Sequence, residues 1–383
     1  MEGDKLANYL TMVGHACADV NQGALSAVLP FLVVAHGWSY AEVAVLVLAA
    51  NIASAVIQPL FGWIGDKRPC PWFMALGVFL AGLGVCGIGL AESYGLVVAS
   101  AMLSGTGVAM FHPEGGRLAN LAAGARKAGG MSIFAVGGNV GFFVGPILTA
   151  ASCTAFGLAG TVVFLVPAAA CALVLLGFNR RFTALGTGHD TAGEVAGTHE
   201  YWGKFALVMA VASLRSIVVY GLLAFIPLYL MGVLGQSESA SSLALSAYSL
   251  AGAFATALSG RTSERFGVHK LLICCFAAIA VLAAAFSVCG SVPLALALAM
   301  LLAVAVNLFY ASSVALGMSY VPQHLGTASG LLYGFAMCTG GIAEPFLGMA
   351  GDAAGVGAAL LIIAAVGVVG AVVSVAIKCV DRA

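Results

Sequence analysis

Five charged residues lie inside otherwise apolar stretches: Asp19, Glu114, Arg117, Arg215 and Glu344. A charge in hydrocarbon costs about 3 kcal/mol by the lower estimates, so each one needs a reason. His15 stands four residues before Asp19, one helical turn away, and both project from one face. Burial disfavours the charged form of each. Such a pair can take up and release a proton, or it can be a fixed polar contact between helices. His112, Pro113 and Glu114 are consecutive, with Arg117 three residues beyond Glu114. Pro113 has no backbone N–H, so a helix through it frees a carbonyl. Glu114 and Arg117 are spaced to neutralise each other, with Arg117 read as a gate or a structural ion pair. Arg215 cannot easily become neutral. It calls for a counter-charge from Asp19, Glu114 or an anionic ligand. Glu344 precedes Pro345 and reads as an interface ion pair or an outer gate.

Hydrocarbon is implied by the rest of the chain. Of 383 residues, 62% are hydrophobic and only 8% charged. Thirty charges cannot cover the surface of a soluble protein this long. Disorder needs the opposite composition. Basic and acidic residues number fifteen each, with no basic run, so no nucleic-acid partner is expected. The ten cysteines include no Cys-x-x-Cys pair and read as packing residues. The first apolar stretch runs past Ala35, too long for a signal peptide.

A spanning helix needs about 20 apolar residues. Twelve candidates follow, at 6–35, 41–62, 72–91, 95–121, 129–151, 155–177, 203–233, 240–259, 270–289, 292–313, 326–349 and 355–377. The polar stretch 179–200 divides them into an N-terminal six-helix bundle, 1–178, and a C-terminal one, 201–383. Thirteen of the fifteen basic residues then fall in one set of alternate loops or at the termini: Lys5, Lys67, Arg68, Arg126, Lys127, Arg180, Arg181, Lys204, Arg261, Arg265, Lys270, Lys378 and Arg382. The opposite loops hold only Glu42, Glu92, Glu238 and Asp352. The positive-inside rule puts both termini and the central loop in the cytoplasm.

The halves echo each other. Gly62, Asp66 and Lys67 after the second span match Gly260, Glu264 and Arg265 after the eighth. Gly141 and Pro146 match Gly340 and Pro345. Two parallel repeats with a site between them form a transporter architecture. Gly-x-x-x-Asp-Lys between spans two and three resembles the signature loop of the major facilitator superfamily, although Pro69-Cys70-Pro71 replaces its usual Gly-Arg-Arg ending. His15…Asp19, Gln58-Pro59-Leu60, Phe111-His112-Pro113-Glu114 with Arg117, and Gly137-Gly138-Asn139-x-Gly141-x-x-x-Gly145-Pro146 resemble the fosmidomycin-resistance branch of drug exporters.

The resemblance implies an all-α polytopic membrane protein of two pseudo-symmetric six-helix bundles. It implies a secondary transporter rather than an enzyme, with no cofactor. Spans one, four, seven and ten would line one cavity, so Asp19, Glu114 and Arg215 would face one another. Proton coupling falls to Asp19, Glu114, His15 and His112. Substrate contact falls to Arg215, Asp19, His112, Glu114, Tyr220, Tyr310 and Asn139. Asp66 with Lys67 and Glu264 with Arg265 read as state-dependent cytoplasmic latches, or as solvated loop charges. Gly137, Gly141 and Gly145 form one smooth stripe, which with Pro146 is similar to the antiporter signature. The expected protein is a monomer in the cytoplasmic membrane, exporting a small organic molecule against protons. The alternatives are proton-coupled import of a small organic anion, and carriage of a metal or metal chelate by His15, Asp19, His112 and Glu114.

Overall fold

The computed structural model describes residues 3–38, 40–188, 199–236 and 238–381. Within those ranges the side chains of Glu42, Glu238, Glu344, Pro345 and Asp352, among others, are not described, so the expectation for Glu344 lies outside the described residues. The described residues are nearly all helical and contain no strand.

The first six spans begin with α1 (Lys5–His36), α2 (Tyr40–Lys67), α3 (Trp72–Leu90), α4 (Tyr94–Ala122) and α5 (Lys127–Phe156). The sixth opens as a 3₁₀ turn, Gly157–Phe164, and continues as α6 (Leu165–Gly177). The expected central loop begins as a short helix, α7 (Asn179–Gly188). Phe182 is fully buried, and Arg181 pairs with Asp4 at 2.8 Å, which anchors α7 to the start of α1.

The second half runs through α8 (Trp202–Gly232), α9 (Glu238–Phe266) and α10 (Val268–Ser287). The tenth span is two helices, α11 (Val292–Asn307) and α12 (Tyr310–Tyr320). The eleventh is α13 (Leu325–Gly330), a π-turn at Leu331–Phe335 and α14 (Ala336–Ala354). The last is α15 (Val356–Val380).

Seven helical stretches among the described residues are long and apolar enough to cross a bilayer; one of them, Lys127–Gly177, holds two of the expected spans. The other expected spans fall on α1, α2, α9 and the α13–α14 segment. Side chains such as Val166, Leu173, Phe254 and Val281 stay largely exposed, as lipid-facing positions require. Compact packing divides the chain into two units, 1–199 with 322–335, and 200–321 with 336–383. The π-turn lies at the second crossing, so the start of span eleven packs with the first unit.

Candidate functional site

In the first unit a stripe of small residues sets the helix spacing. A Cβ on Gly137 would lie 2.1 Å from the Met12 carbonyl oxygen, and one on Gly141 would lie 2.6 Å from that of Ala16. At Gly145 it would lie 2.4 Å from the Val20 carbonyl oxygen. α1 and α5 therefore meet backbone to backbone. That approach lets His15 Nδ1 reach the Phe134 carbonyl, at 2.8 Å, across the interface. Gly138 lets α5 pack directly on this corner, since a Cβ there would sit 2.7 Å from Asp19 Oδ2 and 2.8 Å from His15 Nε2.

Three side chains converge beside Gly138. His15 Nε2 lies 3.2 Å from Asp19 Oδ2, and His112 Nε2 lies 3.3 Å from Asp19 Oδ1. The two Nε2 atoms are 3.1 Å apart. His112 Nδ1 meets the Val108 carbonyl at 3.1 Å. Carbonyl oxygens only accept, so both Nδ1 atoms carry the hydrogen. In neutral rings both Nε2 atoms are then bare acceptors. They face each other and a carboxylate, all buried. Three acceptors at this range repel, so the cluster is satisfied only when a cation sits among them. Phe134 stacks on His15 with ring centroids 4.1 Å apart, and Tyr333 of the π-turn stacks on His112 at 5.7 Å. These rings pack against the cluster on two sides.

A second buried pair lies nearer the end of α4. Arg117 donates Nε to Glu114 Oε2 at 2.9 Å and Nη2 to Oε1 at 2.7 Å. The bidentate geometry is the strong form of an ion pair. Close by, Gly62 allows α2 to touch the start of α13, because a Cβ there would lie 2.2 Å from the Gly326 carbonyl oxygen. Asp66 accepts from the Gly326 N–H at 2.6 Å and from the Thr327 N–H and hydroxyl at 2.8 and 2.7 Å. The Ser329 hydroxyl donates to the His112 carbonyl at 3.2 Å. Lys67 is exposed and lies 3.6 Å over the Trp63 ring.

The second unit holds Arg215. The gap between α11 and α12 frees the Val306 carbonyl, which accepts from Arg215 Nε at 3.0 Å. Arg215 Nη2 donates to Asn307 Oδ1 at 2.9 Å, and the guanidinium lies 3.7 Å over the Tyr310 ring. Gly340 packs on Ser216 and Tyr220, where a Cβ would meet each at 2.5 Å, so the repeat partner of Gly141 also serves close packing. Glu264 and Arg265 are exposed at the end of α9. Asn139 is half-buried on α5.

The fold thus brings His15, Asp19 and His112 to one point and joins Glu114 to Arg117. It assigns Arg215, Tyr220 and Tyr310 to the other unit. Sequence reasoning missed Thr327, Ser329 and Tyr333 of span eleven, and Asn307. The run Gly326-Thr327-Ala328-Ser329-Gly330 was the available signal, being small and polar where a span should start.

The Major Facilitator Superfamily model matches residues 11–235 and 208–381, so both halves of the chain fit it. The chain belongs to the major facilitator superfamily. It is 29% identical over 367 residues to the uncharacterized MFS-type transporter YfnC of Bacillus subtilis (strain 168), covering 93% of this chain and 89% of that protein. It is equally 29% identical over 357 residues to the fosmidomycin resistance protein of Escherichia coli (strain K12), covering 89% of this chain and 85% of that one. The solved Escherichia coli fucose:proton symporter FucP superposes with a TM-score of 0.76 at 13% identity, covering 97% of this chain and 98% of that one. A bacterial homologue of the iron transporter ferroportin superposes at 0.74 with 18% identity, covering 97% of this facilitator and 99% of that chain. At these identities the two structures speak for the fold alone. This facilitator is therefore a multi-pass membrane transporter of small molecules.

Proposed function

We propose that this facilitator is a proton-driven exporter of a small organic molecule, working by alternating access. The carrying observation is the His15–Asp19–His112 cluster, three buried acceptors that need a cation among them. A proton shared by the two Nε2 atoms meets that need when the site is loaded. Its release toward the cytoplasm is the coupling step, and each charge moved inward is worth about 2.3 kcal/mol per 100 mV. Similarity to the fosmidomycin resistance protein supports export over import.

In this reading Arg215 and the Tyr310 face hold the substrate, with Tyr220 and Asn139 as further contacts. Glu114, already paired with Arg117, shares in coupling by exchanging that partner. Asp66 is the cytoplasmic latch, closing on the N–H groups of Gly326 and Thr327 rather than on a basic side chain. Arg117, Lys67, Glu264, Arg265 and Glu344 adjust the gates. The glycine stripe through Gly145-Pro146 seals the first bundle against leak. The bundles are 1–178 and 201–383, joined by a cytoplasmic connection, with both termini cytoplasmic in a cell membrane and the protein acting as a monomer.

The test is drug accumulation in expressing cells, with fosmidomycin as the first compound. Wild type should lower accumulation, and an uncoupler or Asp19→Asn should restore it. Equal accumulation in wild type and Asp19→Asn cells would remove Asp19 from coupling.

A further inference from the structure

The cation required by the His15–Asp19–His112 cluster need not be a proton. We infer that the same three side chains form a binding site for a zinc-class divalent ion, which displaces the proton and arrests transport. The inference rests on the reading that a proton occupies this cluster during transport.

Four observations carry it. The nearest ligand separations are 3.1, 3.2 and 3.3 Å. A tetrahedral ion with bonds of about 2.0–2.1 Å sets its ligands roughly 3.3 Å apart, so the two imidazoles are spaced for one, with a different Asp19 oxygen beside each. One potential ligand atom from each residue lies within 4.8 Å of the others, and all three residues are buried. Both rings donate Nδ1–H to main-chain carbonyls, Phe134 and Val108, which aims each Nε2 lone pair inward. Such outer contacts are what fix the tautomer of metal-ligating histidines. Finally, Gly138 lets the α5 backbone pack directly on the ligands, where a Cβ would intrude on Asp19 and His15 at 2.7–2.8 Å.

The ligand set selects the ion. Two imidazoles and one carboxylate suit Zn²⁺ and Co²⁺ better than the hard cations, which prefer all-oxygen sets. Only unprotonated imidazole binds a metal. Binding therefore follows the balance: cluster–H⁺ plus Zn²⁺ gives cluster–Zn²⁺ plus one H⁺. The displaced proton leaves to solvent. An ion so held ties α1 to α4 and occupies the proton's place, so turnover stops.

The experiment uses the full chain, stripped of metal in detergent. Zn²⁺ is titrated in competition with a chromophoric chelator. One Zn²⁺ per chain is expected. Co²⁺ at the site should show the intense visible bands of tetrahedral coordination. His112→Ala and His15→Gln should each weaken binding at least tenfold, whereas His36→Ala, at an exposed histidine, should not change it. Two substitutions on different helices guard against one that fails to fold, and a thermal melt identifies it. Binding unchanged in both cluster variants, or no binding at all, overturns the inference. In proteoliposomes, Zn²⁺ should inhibit wild-type proton-driven transport. Proton-driven transport with no Zn²⁺ binding would overturn the metal site and leave the exporter reading standing. Zn²⁺ binding in a protein whose transport ignores the proton gradient would overturn the exporter reading and the arrest, and leave the metal site.

Discussion

The Asp66 carboxylate accepts both the main-chain N–H and the hydroxyl of Thr327, at 2.8 and 2.7 Å. With the Gly326 N–H at 2.6 Å, three donors converge on one charge at the start of α13. Hydrogen bonds to a charged group contribute about 1.5–3 kcal/mol each. Asp66→Asn keeps one accepting oxygen but turns an NH₂ toward donors. Amide exchange at residues 325–330 should accelerate at least tenfold in Asp66→Asn, measured by hydrogen-exchange mass spectrometry in nanodiscs. Unchanged protection there would exclude the latch. Lys67→Ala should leave it intact, because Lys67 lies over Trp63 and is exposed.

Glu114 and Arg117 make a different prediction because both are buried and each neutralises the other. Removing one partner strands a charge and costs about 3–5 kcal/mol, whereas replacing both by apolar groups is often neutral. Glu114→Gln should lower the melting temperature markedly, and Glu114→Gln with Arg117→Met should recover most of the loss. A double variant no more stable than the single one would mean that Arg117 is anchored by something other than Glu114. Transport separates the roles further. If Glu114 shares in coupling, the stable double variant remains inactive.

How far the sequence reached depends on the range of the interaction. His15 with Asp19, and Glu114 with Arg117, are one helical turn apart, and helix periodicity alone predicts those contacts. The twelve spans were legible because hydrocarbon imposes length and apolarity, and the two-repeat family fold followed from the echoed loops. The arrival of His112 at Asp19 entered only through the metal alternative and not through helix spacing, since it depends on how α4 is rotated against α1. The partner of Asp66 was hidden for another reason. It is chiefly backbone N–H, which every residue but proline carries, so no charged side chain marked it. The π-turn that presents Tyr333 to His112 left no periodic signal either.

The glycines of α5 separate packing from chemistry. A Cβ on Gly141 would strike main chain, at 2.6 Å from the Ala16 carbonyl oxygen and 2.8 Å from the Val20 N. A Cβ on Gly138 would instead strike the Asp19 carboxylate and the His15 ring. Overpacking typically costs about 1–3 kcal/mol. Gly141→Ala should therefore destabilise by that amount, seen in thermal unfolding. Gly138→Ala should melt closer to wild type yet lose most proton-driven transport. The opposite ranking in both assays would mean that Gly138 serves only helix spacing.

Asp381, past the end of α15, makes the pH prediction. It gathers contacts from three other segments: His269 Nε2 at 2.6 Å, Lys204 Nζ at 3.1 Å and the Tyr320 hydroxyl. Burial alone would raise its carboxyl, but the bonds from Tyr320, His269 and Lys204 outweigh burial and hold it below the usual carboxylate value. A depressed folded-state value means that the unfolded chain binds the proton more readily. The stabilisation is then complete above the ordinary carboxylate value, near pH 4, and disappears as pH falls through the lower folded value. Asp381→Asn should melt about 2–4 °C below wild type at pH 7 and again at pH 5. Below pH 4 the two curves should converge, because the wild-type carboxyl is then losing its charge as well. Thermal unfolding across that range checks it. A gap that does not shrink as pH falls below 4, or that is already absent at pH 7, would show that the Asp381 charge does not fasten the end of α15 to α8, α10 and α12.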